Sequence, residues 1–159
     1  MTDDNNNPET WRPATQMVRG GTLRSNFEET SEAIFMTSGY VYASAEQAEQ
    51  AFKGEVERYI YSRYANPTVV MFERRMALLE GAKFGMAFGS GMAAMFASLA
   101  SFVKAGDRVV ASRALFGSCL YVVQDLLPKY GVETVLVDGT DLAQWEAALS
   151  KPTVAVFLE

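Results

Sequence analysis

From Lys83 onward the polar and hydrophobic positions fall into blocks of alternating character. Short apolar runs, KFGMAF (83–88), RVVAS (108–112), VETVLVD (132–138) and TVAVFL (153–158), have the length and the β-branched or aromatic content of strands. Between them lie segments with helical spacing: one opening after Gly89, one from about Ser118 to Tyr130 and one from Asp141 to Leu149. The AGD turn at 105–107 and prolines at 128 and 152 separate the blocks. Strands alternating with helices of this length predict βαβ units, and so an α/β fold: a mainly parallel sheet covered by helices on both faces.

The first half of the chain has a different texture. Residues 1–14 lack hydrophobic periodicity and predict a mobile tail with Trp11 as its one sizeable apolar anchor. Residues 15–42 read as irregular, with Gly20-Gly21 and scattered Phe27, Ile34, Phe35 and Tyr40. So long a loop signals a functional or partner-wrapping segment. Ser44 is placed to cap a short helix whose inner side would be Ala48, Ala51 and Phe52. A longer helix is predicted to start with Asn66 as N-cap and Pro67 at its first position, to bury Val69, Phe72, Met76 and Leu79, and to stop at Gly81. The expected organisation is a tail (1–14), an N-terminal arm with short helices contacting a neighbouring subunit (15–65), and the first part of a large α/β domain (66–159). That domain reads as incomplete, because the sequence stops at Glu159 directly after an apolar strand.

Composition narrows the chemistry. At 159 residues and 49% hydrophobic the chain can bury a proper core. A net charge of −5 and no basic cluster argue against a nucleic-acid partner. The apolar runs are too short to span a bilayer and the N-terminus is not signal-like, so a cytoplasmic protein is expected. There is no histidine, and Cys119 is the sole cysteine. No metal site, intrachain disulfide or Ser-His or Cys-His nucleophile is therefore expected, which leaves carboxylate, Lys, Tyr or cofactor chemistry. Cys119 reads as a small buried helix residue.

Two stretches carry candidate chemistry. In YIYSRYANPT (59–68), Tyr61 and Arg63 stand two apart, so an extended segment would present a phenol and a guanidinium to one anion. A loop with a surface arginine is the plainer alternative. In GSGM, Gly89 to Met92, glycines lie between a predicted strand and a predicted helix, where free N–H groups of the first turn can point at an anion. The same residues fit the looser dinucleotide fingerprint, and Arg113 at the end of the next strand could take the extra phosphate of NADP. A glycine turn needed only for packing is the third reading.

Taken together, YSRYANPT and GMAFGSGMAAM, flanked by TQMVRGG upstream and ALFGSC downstream, resemble the Cys/Met-metabolism family of pyridoxal-phosphate (PLP) enzymes. That family includes cystathionine γ-synthase, cystathionine and methionine γ-lyases and the homoserine-ester sulfhydrylases. Residues 35–68 most resemble its O-succinylhomoserine sulfhydrylase branch. The resemblance implies PLP fold type I, the aspartate aminotransferase-like architecture. It implies that Tyr61 and Arg63 bind the cofactor phosphate of the neighbouring subunit, while Ser90, Gly91 and Met92 bind it within their own. Phe116, where the family often has Tyr, would stack on the pyridine ring without supplying a hydroxyl. A homo-oligomer follows, with a dimer as the minimum and a homotetramer expected. The implied reaction is γ-replacement on an O-acylated homoserine in homocysteine and methionine biosynthesis, with the related synthase and lyase reactions as alternatives. The family's Schiff-base lysine has no counterpart among Lys53, Lys83, Lys104, Lys129 and Lys151 and is expected beyond Glu159. No catalytic residue is thus assigned in this chain, and a non-catalytic interaction partner stays open beside the NADP reading.

Overall fold

A computed structural model of the chain describes residues 7–159, so part of the expected tail, residues 1–6, lies outside the described residues. The chain divides into two compact units, a first ending at Ala87 and a second, Phe88–Glu159.

The second unit is built on a three-stranded parallel sheet, β1 (Arg108–Ser112), β2 (Glu133–Val137) and β3 (Ala155–Phe157), in the order β2-β1-β3. Val110 lies opposite Val135 on one side and Val156 on the other. Every residue of β1 is buried, as a strand with neighbours on both edges and helices on both faces must be. Alternation then sorts its side chains. Val109 and Ala111 pack with Leu99, Val122, Val123 and Leu127, whereas Val110 packs with Val137, Ala148 and Trp145. The first set comes from α4 (Gly91–Ala100) and from the helix that runs as α5 (Gly117–Tyr121), a π-helical segment (Val122–Leu126) and α6 (Leu127–Lys129). In the second set Val137 ends β2, and Trp145 and Ala148 come from α7 (Leu142–Leu149), capped by the Asp141 carboxylate. The expected layers are all present.

Pro128 marks no boundary; it lies inside α6. A proline there cannot donate to the carbonyl four residues back, and the helix widens ahead of it, so that the Leu127 N–H reaches the Val122 carbonyl. Arg108 ties the sheet together: its buried guanidinium donates to the Glu133 carboxylate (3.0 Å), the Ala148 carbonyl (2.6 Å) and Thr153 Oγ1 (3.0 Å).

In the first unit, a 3-10 turn (Pro8–Thr10) and α1 (Pro13–Arg19) occupy stretches expected to be irregular. Pro13 sits at the first helical turn, where its missing N–H has no partner to lose. Gly20 and Gly21 let α1 end close against α3 (Pro67–Leu79): a Cβ on Gly21, whose φ is +72°, would lie 2.7 Å from the Arg74 Cβ. Arg75 fastens this junction by donating to the Gly20 carbonyl (2.9 Å) and pairing with Glu32.

Both predicted N-caps are present. Ser44 Oγ accepts from Gln47 N–H at the start of α2 (Ala45–Phe52), and Asn66 Oδ1 accepts from Thr68 N–H at the start of α3. The buried faces differ from expectation. In α2, Ala51 is buried, but Phe52 is exposed and lies against the Tyr42 ring. In α3, Met71 and Ala77 are buried while Val69, Phe72 and Met76 are exposed. This helix carries two apolar stripes, and the side facing α1 took the smaller one. The predicted strand at 83–88 forms no ladder with any described residue and has no regular secondary structure.

Candidate cofactor site

The YIYSRYANPT segment is a turn rather than the expected extended run. The N–H groups of Tyr64 and Ala65 both donate to the Tyr61 carbonyl, at 2.9 and 3.2 Å, which reverses the chain into α3. Arg63 still lies beside the tyrosines. Its guanidinium carbon is 5.5 Å from the Tyr61 ring centroid and 4.8 Å from that of Tyr64. Such contacts hold an exposed cation for about 0.5–1 kcal/mol each without consuming its N–H donors. No carboxylate among the described residues pairs with it.

The motif's small polar residues fix this turn against the arm. Ser62 N–H donates to the Ser38 carbonyl (2.9 Å), Ser62 Oγ donates to the Thr37 carbonyl, and Tyr61 forms an antiparallel bridge with Gly39. The Asn66 amide donates both to Ser62 Oγ and to the Phe35 carbonyl, each at 2.9 Å, and Thr68 Oγ1 accepts from Phe35 N–H at 2.9 Å. Sequence reasoning found Asn66 only as a cap and missed Ser62 and Thr68. Their side-chain bonds to Thr37 and Phe35 of the arm span 25 and 33 residues, beyond the reach of any local pattern.

At the start of α4, Ser90 is the N-cap: its Oγ accepts from Ala93 N–H (3.1 Å), and its carbonyl accepts from Ala94 N–H (3.0 Å). The N–H groups of Gly91 and Met92 find no acceptor among the described residues. These are the unsatisfied first-turn donors that carry the positive end of the helix dipole. A Cβ on Gly91 would meet nothing within 4 Å, so the approach is open. Free N–H groups at a helix start and an uncommitted guanidinium are the donor chemistry that a phosphate dianion requires. On that ground the residues present fit the phosphate of PLP.

Phe116 stands just before α5 with its ring 70% exposed. Its N–H donates to Glu159 Oε2 at 2.6 Å. The neighbouring Cys119 thiol and the Phe116 N–H hold the Glu159 carboxyl below the usual carboxylate range, and the nearby carboxylate raises the Cys119 thiol. Beyond the C-terminal ends of the strands lies a cleft of about 390 Å³ lined by Ser112, Gly139, Thr140, Trp145, Leu158 and Glu159 among others, at the end of an α/β sheet where ligands bind.

Lys53, Lys83, Lys104, Lys129 and Lys151 are all exposed. The NADP reading loses its structural context: the segment before GSGM is not a paired strand, and Arg113 is engaged with Gln144 (3.3 Å).

Residues 14–159 match the family of Cys/Met metabolism PLP-dependent enzymes. The chain belongs to that family. It is 59% identical over 152 residues to the O-succinylhomoserine sulfhydrylase of Mycobacterium tuberculosis, covering 96% of this chain and 37% of that protein. It is 36% identical over 145 residues to an L-methionine gamma-lyase of Fusobacterium nucleatum, covering 91% of this chain and 37% of the lyase. Among solved structures it is similar to an O-acetylhomoserine (thiol)-lyase of Campylobacter jejuni that contains N'-pyridoxyl-lysine-5'-monophosphate. That likeness has a TM-score of 0.86 and 29% identity, and covers 93% of this chain and 36% of the other. The chain thus spans little more than a third of the length of these relatives, and its α/β fold is that of the PLP-dependent neighbours.

Proposed function

We propose that these residues form the phosphate-binding and ring-stacking part of a PLP enzyme that exchanges the γ-substituent of an O-acylated homoserine. O-Succinylhomoserine is the proposed substrate and a sulfur nucleophile the incoming group. In the overall exchange the γ C–O bond breaks, a C–S bond forms at the same carbon and succinate leaves; with sulfide the product is homocysteine. When bound, PLP supplies the electron sink for charge developing on the amino-acid carbons.

The chain's own part is binding and orientation. Arg63 offers its fork of donors to the phosphate, with the Tyr61 hydroxyl beside it, and both serve the site of a neighbouring copy. Gly91 and Met92 donate backbone N–H groups to the phosphate in their own subunit. Ser90 caps their helix and keeps its hydroxyl proton available as a further donor. Phe116 stacks on the pyridine ring, for about 0.5–1.5 kcal/mol beyond area burial, and moves no proton. A dimer is then the smallest working unit, a tetramer the proposed assembly and the cytoplasm the proposed compartment. Among the described residues no helix is long and apolar enough to cross a membrane.

The observation that carries this reading is Arg63, a guanidinium flanked by two tyrosine rings with no carboxylate among the described residues to neutralise it. Arg63→Ala should weaken PLP retention by about tenfold or more, the loss of charge-assisted hydrogen bonds worth ~1.5–3 kcal/mol each. Equilibrium dialysis of the variant against PLP tests it, and unchanged affinity would remove Arg63 from the phosphate site. Substrate class is tested by supplying O-succinylhomoserine with sulfide, or methionine alone. Homocysteine from the first supports replacement, whereas methanethiol from the second favours the lyase activity of the 36% identical relative.

A further inference from the structure

Phe116 is an unusual residue to rely on for stacking. Its ring is 70% exposed and has no aromatic neighbour among the described residues. Its backbone (φ −55°, ψ 139°) lies outside the helix that follows, so helical hydrogen bonding does not fix its own N–H. That N–H is instead taken by the Glu159 carboxylate, 43 residues on, at the short distance of 2.6 Å. The thiol of Cys119, buried at 6% exposure in the first turn of the helix, lies close enough to feel that carboxylate, which raises it. Glu159 therefore fastens the chain at Phe116, directly before the helix, from the end of the β3 segment.

A carboxylate on an exposed segment loses little by staying in water, so a short bond to a backbone N–H 43 residues away at a helix start indicates a positional task. We propose that Glu159 is a positioning residue for the cofactor ring: its carboxylate, bonded to the Phe116 N–H, fixes the backbone that carries the Phe116 side chain toward the pyridine of PLP. The inference rests on the stacking role given to Phe116. Its plain rival is that Glu159 only caps α5 and contributes to stability.

The experiment uses the PLP-loaded protein and compares Glu159→Ala, Glu159→Gln and Phe116→Ala. The readouts are the visible-region circular dichroism of bound PLP, its dissociation constant and the pH profile of Cys119 labelling by a thiol reagent. Glu159→Ala should diminish the dichroic band as Phe116→Ala does, weaken PLP binding about two- to tenfold, and shift Cys119 labelling to lower pH. Glu159→Gln, whose amide oxygen still accepts the Phe116 N–H, should keep most of the band. If Glu159→Ala lowers the melting temperature but leaves band and affinity at wild-type values, Glu159 is a cap and the inference is overturned. If Phe116→Ala itself leaves the band unchanged, the stacking reading falls and takes this inference with it. A change with Phe116→Ala alone overturns only the role of Glu159. Should Glu159→Ala fail to fold, Glu159→Asp, one methylene too short to keep the bond to the Phe116 N–H, is read in the same way.

Discussion

The two units hold themselves together by different means. In the second, β1 is buried throughout and its side chains divide between two apolar clusters, so burial alone specifies the register. In the first, Phe27, Ile34, Met36 and Val41 of the arm stand exposed, and the segment is held by hydrogen bonds to Ser62, Asn66 and Thr68. A sheet unit of this kind depends on side-chain volume. The arm depends on a few polar atoms in fixed places, and the phosphate clamp proposed for it should be sensitive to changes that barely alter overall stability.

The contrast can be broken from either side. The largest stability loss should come from the sheet unit: Leu127→Ala, at a site 2% exposed, is expected to cost about 2–5 kcal/mol in denaturant unfolding. Asn66→Ala removes a helix cap and two amide bonds, one to Phe35 of the arm and one to Ser62, and should cost about 1–2 kcal/mol. It should also loosen PLP, whereas Leu127→Ala should leave PLP affinity unchanged in the protein that remains folded. Gly91→Pro is sharper still. Proline is tolerated at the first helical position, Ser90 already has the extended backbone a following proline demands, and no atom crowds the new side chain. Stability should change by under about 0.5 kcal/mol, while loss of one N–H donor weakens phosphate binding by about tenfold.

The smallest effect is electrostatic. The Asp141 carboxyl is held below its ordinary range, first by the Gln144 side chain and then by backbone N–H groups at the start of α7. A depressed carboxylate stabilises the fold above its unfolded value of ~3.9, and the contribution disappears as pH falls through the lower folded value. Asp141→Ala should therefore melt earlier than wild type at neutral pH, with the two curves converging in acid. A gap that persisted at low pH would assign the effect to something other than charge.

These differences also explain what could be read from the sequence. The βαβ alternation, the two caps at Ser44 and Asn66 and the motif order were legible because each is local. The buried face of α3 was not, since two apolar stripes on one helix give the same periodicity and only the packing of α1 decides between them. The segment at 83–88 has strand composition, but a strand needs a partner that composition cannot supply. At the site, residue types and spacing pointed to Tyr61, Arg63, Gly91 and Met92. The supports provided by Ser62, Thr68 and Glu159 join residues 25 to 43 positions apart and had no local signature.

The central claim is that the clamp at Tyr61 and Arg63 serves the phosphate bound at another copy's Gly91 and Met92. Subunit complementation tests it most directly. Arg63→Ala and Gly91→Pro chains, carrying different tags, are co-expressed and the mixed dimer is isolated. In a two-fold dimer with shared sites, one site would carry both lesions and the other neither, so the mixed species should regain about half of wild-type PLP content. No recovery above either parent would contradict the claim and place clamp and helix terminus in the same subunit's site.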